Sequence, residues 1–195
     1  MNDGYTDLPP GKLAAVVTYL EMRAPKPATA SPTTSEFAIR HVENADLDWY
    51  RNLFREIGGP WLWFSRLRMS DDELRAVLHS RDVDIFVLSH NGVDSGLLEF
   101  DRRKMPDIEI LYFGVVPSLM GKGAGRALLE HCLPLEWSHH PDRIWLHTCT
   151  WDHSKALAFY IKAGFVPYKR GLEIADDPRV IRVLPRDAAP DVPIL

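Results

Sequence analysis

The chain has 195 residues, of which 46% are hydrophobic and 26% charged, and its formal net charge at pH 7 is −4. This composition is typical of a globular protein and excludes a disordered or collagen-like chain. Tight nucleic-acid binders usually carry a basic excess that replaces counterions at the phosphates, so we expect no nucleic-acid partner. The longest apolar run, Ile110 to Val116, is far shorter than the roughly 20 residues of a membrane-spanning helix, so we expect no membrane partner.

The cysteines and histidines show neither a disulfide framework nor a metal site. Cys132 and Cys149 do not form a Cys-x-x-Cys pair, and the eight histidines lack the paired spacing of metal ligands. The start of the chain carries Asp3 and Asp7 where a secretory signal needs a basic cluster. We therefore expect a cytoplasmic protein that binds no metal.

Residues 1–35 are predicted to form an N-terminal helical arm followed by a linker. Four apolar residues follow the spacing i, i+3, i+4, i+7, which predicts one stripe of a helix: Leu13, Val16, Val17 and Leu20. The segment from Ala24 to Ser35 is rich in Pro, Ala, Ser and Thr without periodicity, which is typical of a linker. Two placements of the arm stay open: packing on its own domain, or exchange with a second copy in a homodimer.

Residues 36–195 are predicted to form one α/β domain with a C-terminal tail, because strands and helices alternate along them. In chain order the pattern predicts a strand (Phe37–Val42), two helices (Asp46–Ile57, Ser70–His79), three strands (Asp84–Ser89, Ser95–Asp101, Ile108–Val116), a helix (Gly125–Trp137), a strand (Arg143–Thr150), a helix (Ser154–Ala163) and a strand (Val166–Ile174). Ser70 and Glu73 have capping-box spacing, and Asn91-Gly92 is a hairpin signal. From Asp176 onward, four prolines favour a turn, one short helix and an extended tail.

A glycine-rich loop follows the longest apolar strand and opens a helix. Gly121, Gly123 and Gly125 allow backbone N–H groups to approach an anion, and the helix start adds the positive end of a dipole. The loop fails the P-loop pattern, because Lys122 is followed by Gly123, and the dinucleotide pattern, because the residue three after Gly123 is Arg126. A turn that merely joins a strand to a helix is the alternative.

Two motifs resemble the GNAT (GCN5-related) N-acetyltransferase family. Met120-Gly-Lys-Gly-Ala-Gly125 is similar to the family's Gln/Arg-x-x-Gly-x-Gly/Ala pattern, with Met120 where Gln or Arg is preferred. The segment from Trp151 to Phe165 is similar to Asn-x-x-Ala-x-x-Phe-Tyr-x-x-x-Gly-Phe, with His153 in place of Asn. The motifs occur in the family's order, and the resemblance covers roughly Phe37 to Ile174.

The resemblance implies a fold and a cosubstrate. The GNAT fold has a mixed central sheet, here of about six or seven strands, with flanking helices and two adjacent parallel strands that splay at a bulge. The pantetheine arm of acetyl-CoA inserts between the splayed strands, which would be Ile108–Val116 and Arg143–Thr150. The cofactor-binding residues that the resemblance implies are Phe113, Val115, Val116, Gly121, Lys122, Gly123, Ala124, Gly125, Arg126 and His153.

Acetyl transfer to an amine needs a base for the ammonium proton and gains from an acid for the leaving thiolate. Glu109 falls where GCN5-type members of the family place a glutamate base, and Tyr160 matches the family's general acid. Glu99 on the neighbouring strand is the rival base. Period-two alternation predicts an apolar setting for Glu109, because it puts four residues on one strand face: Glu109, Leu111, Phe113 and Val115. The alternatives are a solvated strand end for Glu109 and a packing role for Tyr160.

The acceptor side is defined by fewer residues. Trp61 and Trp63 lie between the two early helices, in the region that lines the acceptor site in GNAT proteins, and form either a cation-binding wall or part of the core. Glu99 and His147 are the other candidate substrate residues, and His147 is either a proton relay or a structural strand histidine. The expected acceptor is a primary amine of a small molecule or peptide, attacked directly in a ternary complex. A non-catalytic CoA-binding or CoA-sensing module is the alternative.

Overall fold

A computed structural model describes residues 3–25 and 36–195. Within these residues, seven strands form one sheet: β1 (Lys12–Met22), β2 (Phe37–His41), β3 (Val83–His90), β4 (Val93–Asp101), β5 (Asp107–Val115), β6 (Arg143–Cys149) and β7 (Val166–Asp176). Their order across the sheet is β2-β3-β4-β5-β6-β1-β7. Every neighbouring pair is antiparallel except β5 and β6. The predicted mixed sheet with flanking helices is confirmed.

The α-helices cover both faces of the sheet. They are α1 (Leu47–Gly58), α2 (Ser65–Arg68), α3 (Asp71–Leu78), α4 (Ala124–Trp137) and α5 (Ala156–Ala163). Ser70 and Glu73 form the predicted capping box at α3, and the Asn91-Gly92 turn joins β3 to β4 as predicted. No helix among the described residues combines the length and the hydropathy that a bilayer crossing demands.

The predicted N-terminal helix is wrong. Lys12–Met22 is strand β1, which lies between β6 and β7 and is antiparallel to both. Two separate hydrophobic clusters bury apolar residues of β1. Leu13 packs with residues of the C-terminal tail, and Leu20 lies in the main core. Hydrogen bonding along both edges of the strand overrides the helical spacing, as tertiary context often does. Residues 26–35 of the predicted linker lie outside the described residues.

The predicted C-terminal helix is also wrong, because residues 177–195 form turns without a helix. Arg179 organises this tail while being almost completely buried. Its Nη1 donates to the carbonyls of Ala188, Ala189 and Val192 at 2.7–3.1 Å, and its other nitrogens pair with Asp177. One guanidinium thus satisfies carbonyls that a helix would have satisfied internally.

The two parallel strands splay as predicted. β5 and β6 form parallel pairs only where Asp107–Ile110 lie beside Arg143–Leu146. Beyond that point β6 continues along β1 as far as Cys149, whereas β5 continues along β4 as far as Val115. A bulge marks the separation, because Phe100 of β4 faces Ile110 while Glu99 faces Tyr112, which leaves Leu111 as the extra residue.

The bulge reverses the side-chain alternation of β5, so the predicted common face is wrong. Phe113 contacts Phe159 and Tyr160 of α5, whereas Tyr112 contacts Phe54 of α1. Glu109 is paired with Asp101, two residues from Glu99 on β4, and therefore shares the α1 face of the sheet with Glu99 and Tyr112. Phe113 and Val115 lie on the opposite face from Glu109.

Two substitutions test whether residues 12–22 form a strand or a helix. Leu20 is 0% exposed and Val16 is 41% exposed; a helical stripe would bury both. We expect Leu20→Ala to lower the free energy of unfolding by about 2–5 kcal/mol, the usual cost of a core Leu-to-Ala cavity. We expect Val16→Ala to lower it by less than about 1 kcal/mol, the span of strand propensities. Urea unfolding measures both, and equal losses would contradict the strand.

Candidate active site

The glycine-rich loop between β5 and α4 presents a row of unbonded backbone N–H groups. Gly121 and Gly123 have φ of 75° and 87°, the region that favours glycine. Within the described residues, the N–H groups of Gly121 and of residues 123–126 donate to no acceptor in the protein, and α4 begins without a side-chain cap. Consecutive free donors at a helix start suit an anion such as a pyrophosphate.

The other predicted cofactor residues surround this loop. Phe113, Val115 and Val116 lead into it from the β5 edge that β6 no longer pairs. Lys122 and Arg126 are exposed on the loop and on the first turn of α4, and Arg126 pairs with Glu130 at 2.7 Å. His153 lies after β6, where its ring meets the edge of Trp61 with centroids 5.2 Å apart.

Glu109 and His147 meet at the apex of the splay. His147 is the first residue of β6 beyond the parallel register, and its Nδ1 lies 3.7 Å from Oε1 of Glu109. The side chains are 40% exposed for His147 and 14% exposed for Glu109. The Glu109 carboxylate raises the pKa of the His147 imidazole, because it stabilises the charged ring. Glu109 therefore has a polar partner, and the predicted apolar setting is wrong.

Two aromatic rings flank this pair. The ring of Tyr19 of β1 lies beside that of His147 with centroids 5.8 Å apart. The ring centroid of Trp145 of β6 lies 6.5 Å from that of His147. Tyr19 and Trp145 stack on each other at 6.3 Å. We did not predict Tyr19 at the site, because assigning residues 12–22 to a helix placed it away from the sheet; the strand-favouring run Val16-Val-Thr-Tyr19 was the available signal.

Glu99, the rival base, is fully buried with both carboxylate oxygens bonded. One accepts from the hydroxyl of Tyr50 and the other from the guanidinium of Arg66. Burial and the Glu99 charge raise the pKa of Tyr50, so its hydroxyl stays a donor. The guanidinium of Arg66 also lies over the ring of Tyr112, 5.2 Å from its centroid. These two contacts join α1, α2 and the sheet and engage both oxygens of Glu99.

The two tryptophans of the acceptor side have different settings. Trp63 packs in the core against Phe54 and Tyr112, with ring centroids 5.4 and 5.2 Å away. Trp61 instead reaches the turn after β6, where it meets His153. Of the two, Trp61 is placed at the rim of the cleft.

Tyr160 lies on the α5 face of the splay. Its side chain is 8% exposed, and its ring packs against Phe113 at 6.0 Å and Phe165 at 6.2 Å. Burial and the nearby charge of Asp152 raise its pKa. The phenol is therefore protonated at neutral pH, which is the form that a general acid needs.

Residues 81–167 match the family described as "Acetyltransferase (GNAT) domain". In this region the chain is similar to GNAT acetyltransferase domains. The resemblance inferred from the two glycine-containing motifs is confirmed, since both motifs fall within the match. The match covers β3 to the start of β7 and leaves β1, β2 and α1 outside.

One curated relative and two solved structures are similar to this chain. Mycothiol acetyltransferase from Beutenbergia cavernae is 34% identical over 89 residues, which are 44% of this chain and 30% of that protein; the match therefore spans less than a third of that relative's length. An aminoglycoside acetyltransferase from an uncultured soil metagenomic sample superposes with a TM-score of 0.56 at 16% identity, over 66% of this chain and 88% of that one. Ribosomal-protein-S18-alanine N-acetyltransferase from Escherichia coli also gives 0.56, at 18% identity over 71% and 90% of the two chains. At these identities the two structures show the fold alone.

The buried pair of Glu99 and Arg66 yields a stability prediction. Glu99→Gln leaves the Arg66 guanidinium buried without a counter-charge, and we expect a loss of about 3–5 kcal/mol in the free energy of unfolding. The control is Asp72→Asn, which breaks the exposed pair of Asp72 and Arg75 and should leave stability unchanged. Thermal or urea unfolding measures both. A stable Glu99→Gln protein with lost turnover would instead make Glu99 the base.

Proposed function

We propose that this protein is an acetyl-CoA-dependent N-acetyltransferase that acetylates a primary amine by direct attack in a ternary complex. The observation that carries the proposal is the Glu109–His147 pair at the apex of the splay, on the same opening that the glycine-rich loop borders. A purely CoA-binding module needs the loop and the splayed edge but has no use for a coupled carboxylate and imidazole at the apex. The two cysteines are free thiols, which suits the reducing cytoplasm.

The described residues fit acetyl-CoA at two places. The unbonded N–H groups of Gly121 and of residues 123–126 would hold the pyrophosphate, and the unpaired edge of β5 along Phe113 and Val115 would pair with the pantetheine amides. The thioester supplies the acetyl group. Lys122 and Arg126 add positive charge beside the pyrophosphate, although Arg126 also pairs with Glu130.

The proton transfers divide between the two faces of the sheet. On the α1 face, His147 takes the proton from the amine, and Glu109 stabilises the imidazolium that forms. On the α5 face, Tyr160 gives a proton to the departing sulfur. Base and acid are thus separated by the plane of the sheet, and only the splay connects them.

The acceptor is a primary amine carried by a small molecule or a peptide. The three relatives are named for mycothiol, aminoglycosides and a ribosomal protein alanine, so the family shares the donor chemistry and differs in acceptors. Tyr19 and Trp145 lie beside His147 at the apex, and Trp61 lies at the rim of the cleft, so these rings would border the group that bears the amine. A screen of thiol release from acetyl-CoA over small amines, aminoglycosides, polyamines and peptide N-termini tests the proposal directly. Thiol release with none of them, despite acetyl-CoA binding, would favour the CoA-sensing alternative.

A matched pair of glycine variants tests where acetyl-CoA binds. A ligand present at about a hundred times its dissociation constant stabilises a protein by about 2.7 kcal/mol, so we expect the melting temperature to rise by several degrees. Gly123→Asp should abolish the rise, because it sets a carboxylate against the pyrophosphate. Gly92→Asp is the control, since Gly92 and Gly123 both have positive φ, 78° and 87°, and open space at the Cβ position. Loss of the rise in both variants, or in neither, would contradict the loop as the binding site.

The Glu109–His147 pair makes the reaction depend on pH in a defined direction. His147 must be neutral to accept a proton, so activity rises as pH passes upward through its pKa, which Glu109 raises. Glu109→Gln removes the carboxylate and should lower that pKa, so the acid limb of the kcat/KM profile moves to lower pH while turnover falls by roughly a hundredfold. Tyr160→Phe should reduce turnover by a similar factor without moving this limb. A Glu109→Gln profile that keeps its acid limb in place would show that His147 is not the base.

A further inference from the structure

Three potential metal ligands meet at the end of α4 that is distant from the glycine-rich loop. Asp84 belongs to β3, Glu136 to the last turn of α4, and His139 to the turn that follows. One oxygen or nitrogen of each lies within 4.8 Å of those of the other two. Because α4 rises by about 1.5 Å per residue, this cluster lies roughly 20 Å from the glycine-rich loop at the other end of the helix.

Glu136 supplies an independent reason to examine the cluster. The residue is 1% exposed, and its Oε2 is a buried atom with no hydrogen-bond partner among the described residues. The nearest cationic atom is Nε of Arg102 at 3.8 Å, beyond hydrogen-bonding distance. Buried polar atoms of this kind are uncommon in folded proteins, and an ion or a water molecule usually accounts for them.

Neighbouring residues orient the carboxylate of Asp84. Its Oδ2 accepts from Nε of Arg102 at 2.6 Å, and its Oδ1 lies 3.0 Å from Nε2 of His41. Arg102 is itself held by the carbonyl of Arg81 at 2.8 Å. Outer hydrogen bonds of this type fix the direction of metal-binding carboxylates. One guanidinium, that of Arg102, faces both carboxylates, at 2.6 Å from Asp84 and 3.8 Å from Glu136.

We propose that Asp84, Glu136 and His139 form a binding site for a divalent transition metal, with Zn²⁺ as the representative ion. One imidazole and two carboxylates are a donor set that Zn²⁺ accepts, at metal–ligand distances of about 2.0–2.2 Å. His139 is exposed just beyond α4, so its ring is able to rotate inward, and a water molecule completes the coordination. The bound ion fastens the end of α4 to the sheet through β3 and stabilises the fold without taking part in acetyl transfer.

Zinc titration of chelator-treated full-length protein tests the site. Isothermal titration calorimetry should show one tight Zn²⁺ per chain, and Zn²⁺ should raise the melting temperature. Glu136→Gln and His139→Ala should each weaken binding by at least tenfold and remove the rise. The control is His140→Asn, which changes the neighbouring histidine and keeps a residue that tolerates its φ of 56°; it should bind Zn²⁺ like the wild type.

Two results would overturn the proposal. If the wild type binds no Zn²⁺ under these conditions, Asp84, Glu136 and His139 do not form a metal site. If His139→Ala binds Zn²⁺ as tightly as the wild type, the ion resides at another surface histidine. Because His139 is exposed, its replacement leaves the fold intact, so loss of binding in that variant reports on the site itself.

Discussion

The candidate active site depends on the early end of the pairing between β5 and β6. After Ile110 and Leu146 the two strands lose contact, and an unpaired strand edge opens inside the sheet instead of at its border. Such an edge is a template for an extended, amide-bearing ligand. Each strand is able to leave the other because a second neighbour holds it: β4 holds β5, and β1 holds β6.

The bulge at Leu111 gives the opening two chemically different sides. It turns Tyr112 and Gly114 toward α1 and Phe113 toward α5. A side chain at Gly114 would collide with Ile57, 2.6 Å from its Cβ, so α1 approaches the strand as closely as a glycine allows. The α1 side carries Glu109 and His147, whereas the α5 side is lined by aromatic rings around a buried phenol. The Glu109–His147 pair and the Tyr160 phenol are thereby kept in separate environments on opposite faces of the sheet.

Local signals predicted those elements whose determinants lie close together in the chain. The capping box of Ser70 and Glu73, the Asn91-Gly92 hairpin and the glycine-rich loop each depend on a few consecutive residues, and all were predicted at the correct place. Determinants that lie far apart were missed. Glu99 bonds to Arg66, 33 residues away in the chain, and to Tyr50, 49 residues away. No periodicity of the sequence indicates these two contacts. The predicted alternation of side chains along β5 was wrong, because the bulge depends on how β5 pairs with its partner strand β4.

The strand β1 shows why distant determinants matter most at the site. Its apolar residues fit a helix stripe as well as a strand, and only the vacant edges of β6 and β7 decide between the two. Those edges are created by residues more than 120 positions later, yet β1 in turn supports β6 where β5 no longer does. Tyr19, which pairs with His147, comes from this strand. The geometry of the Glu109–His147 pair therefore depends on the N-terminal segment, which lies outside the matched GNAT region, as much as on the motifs within it.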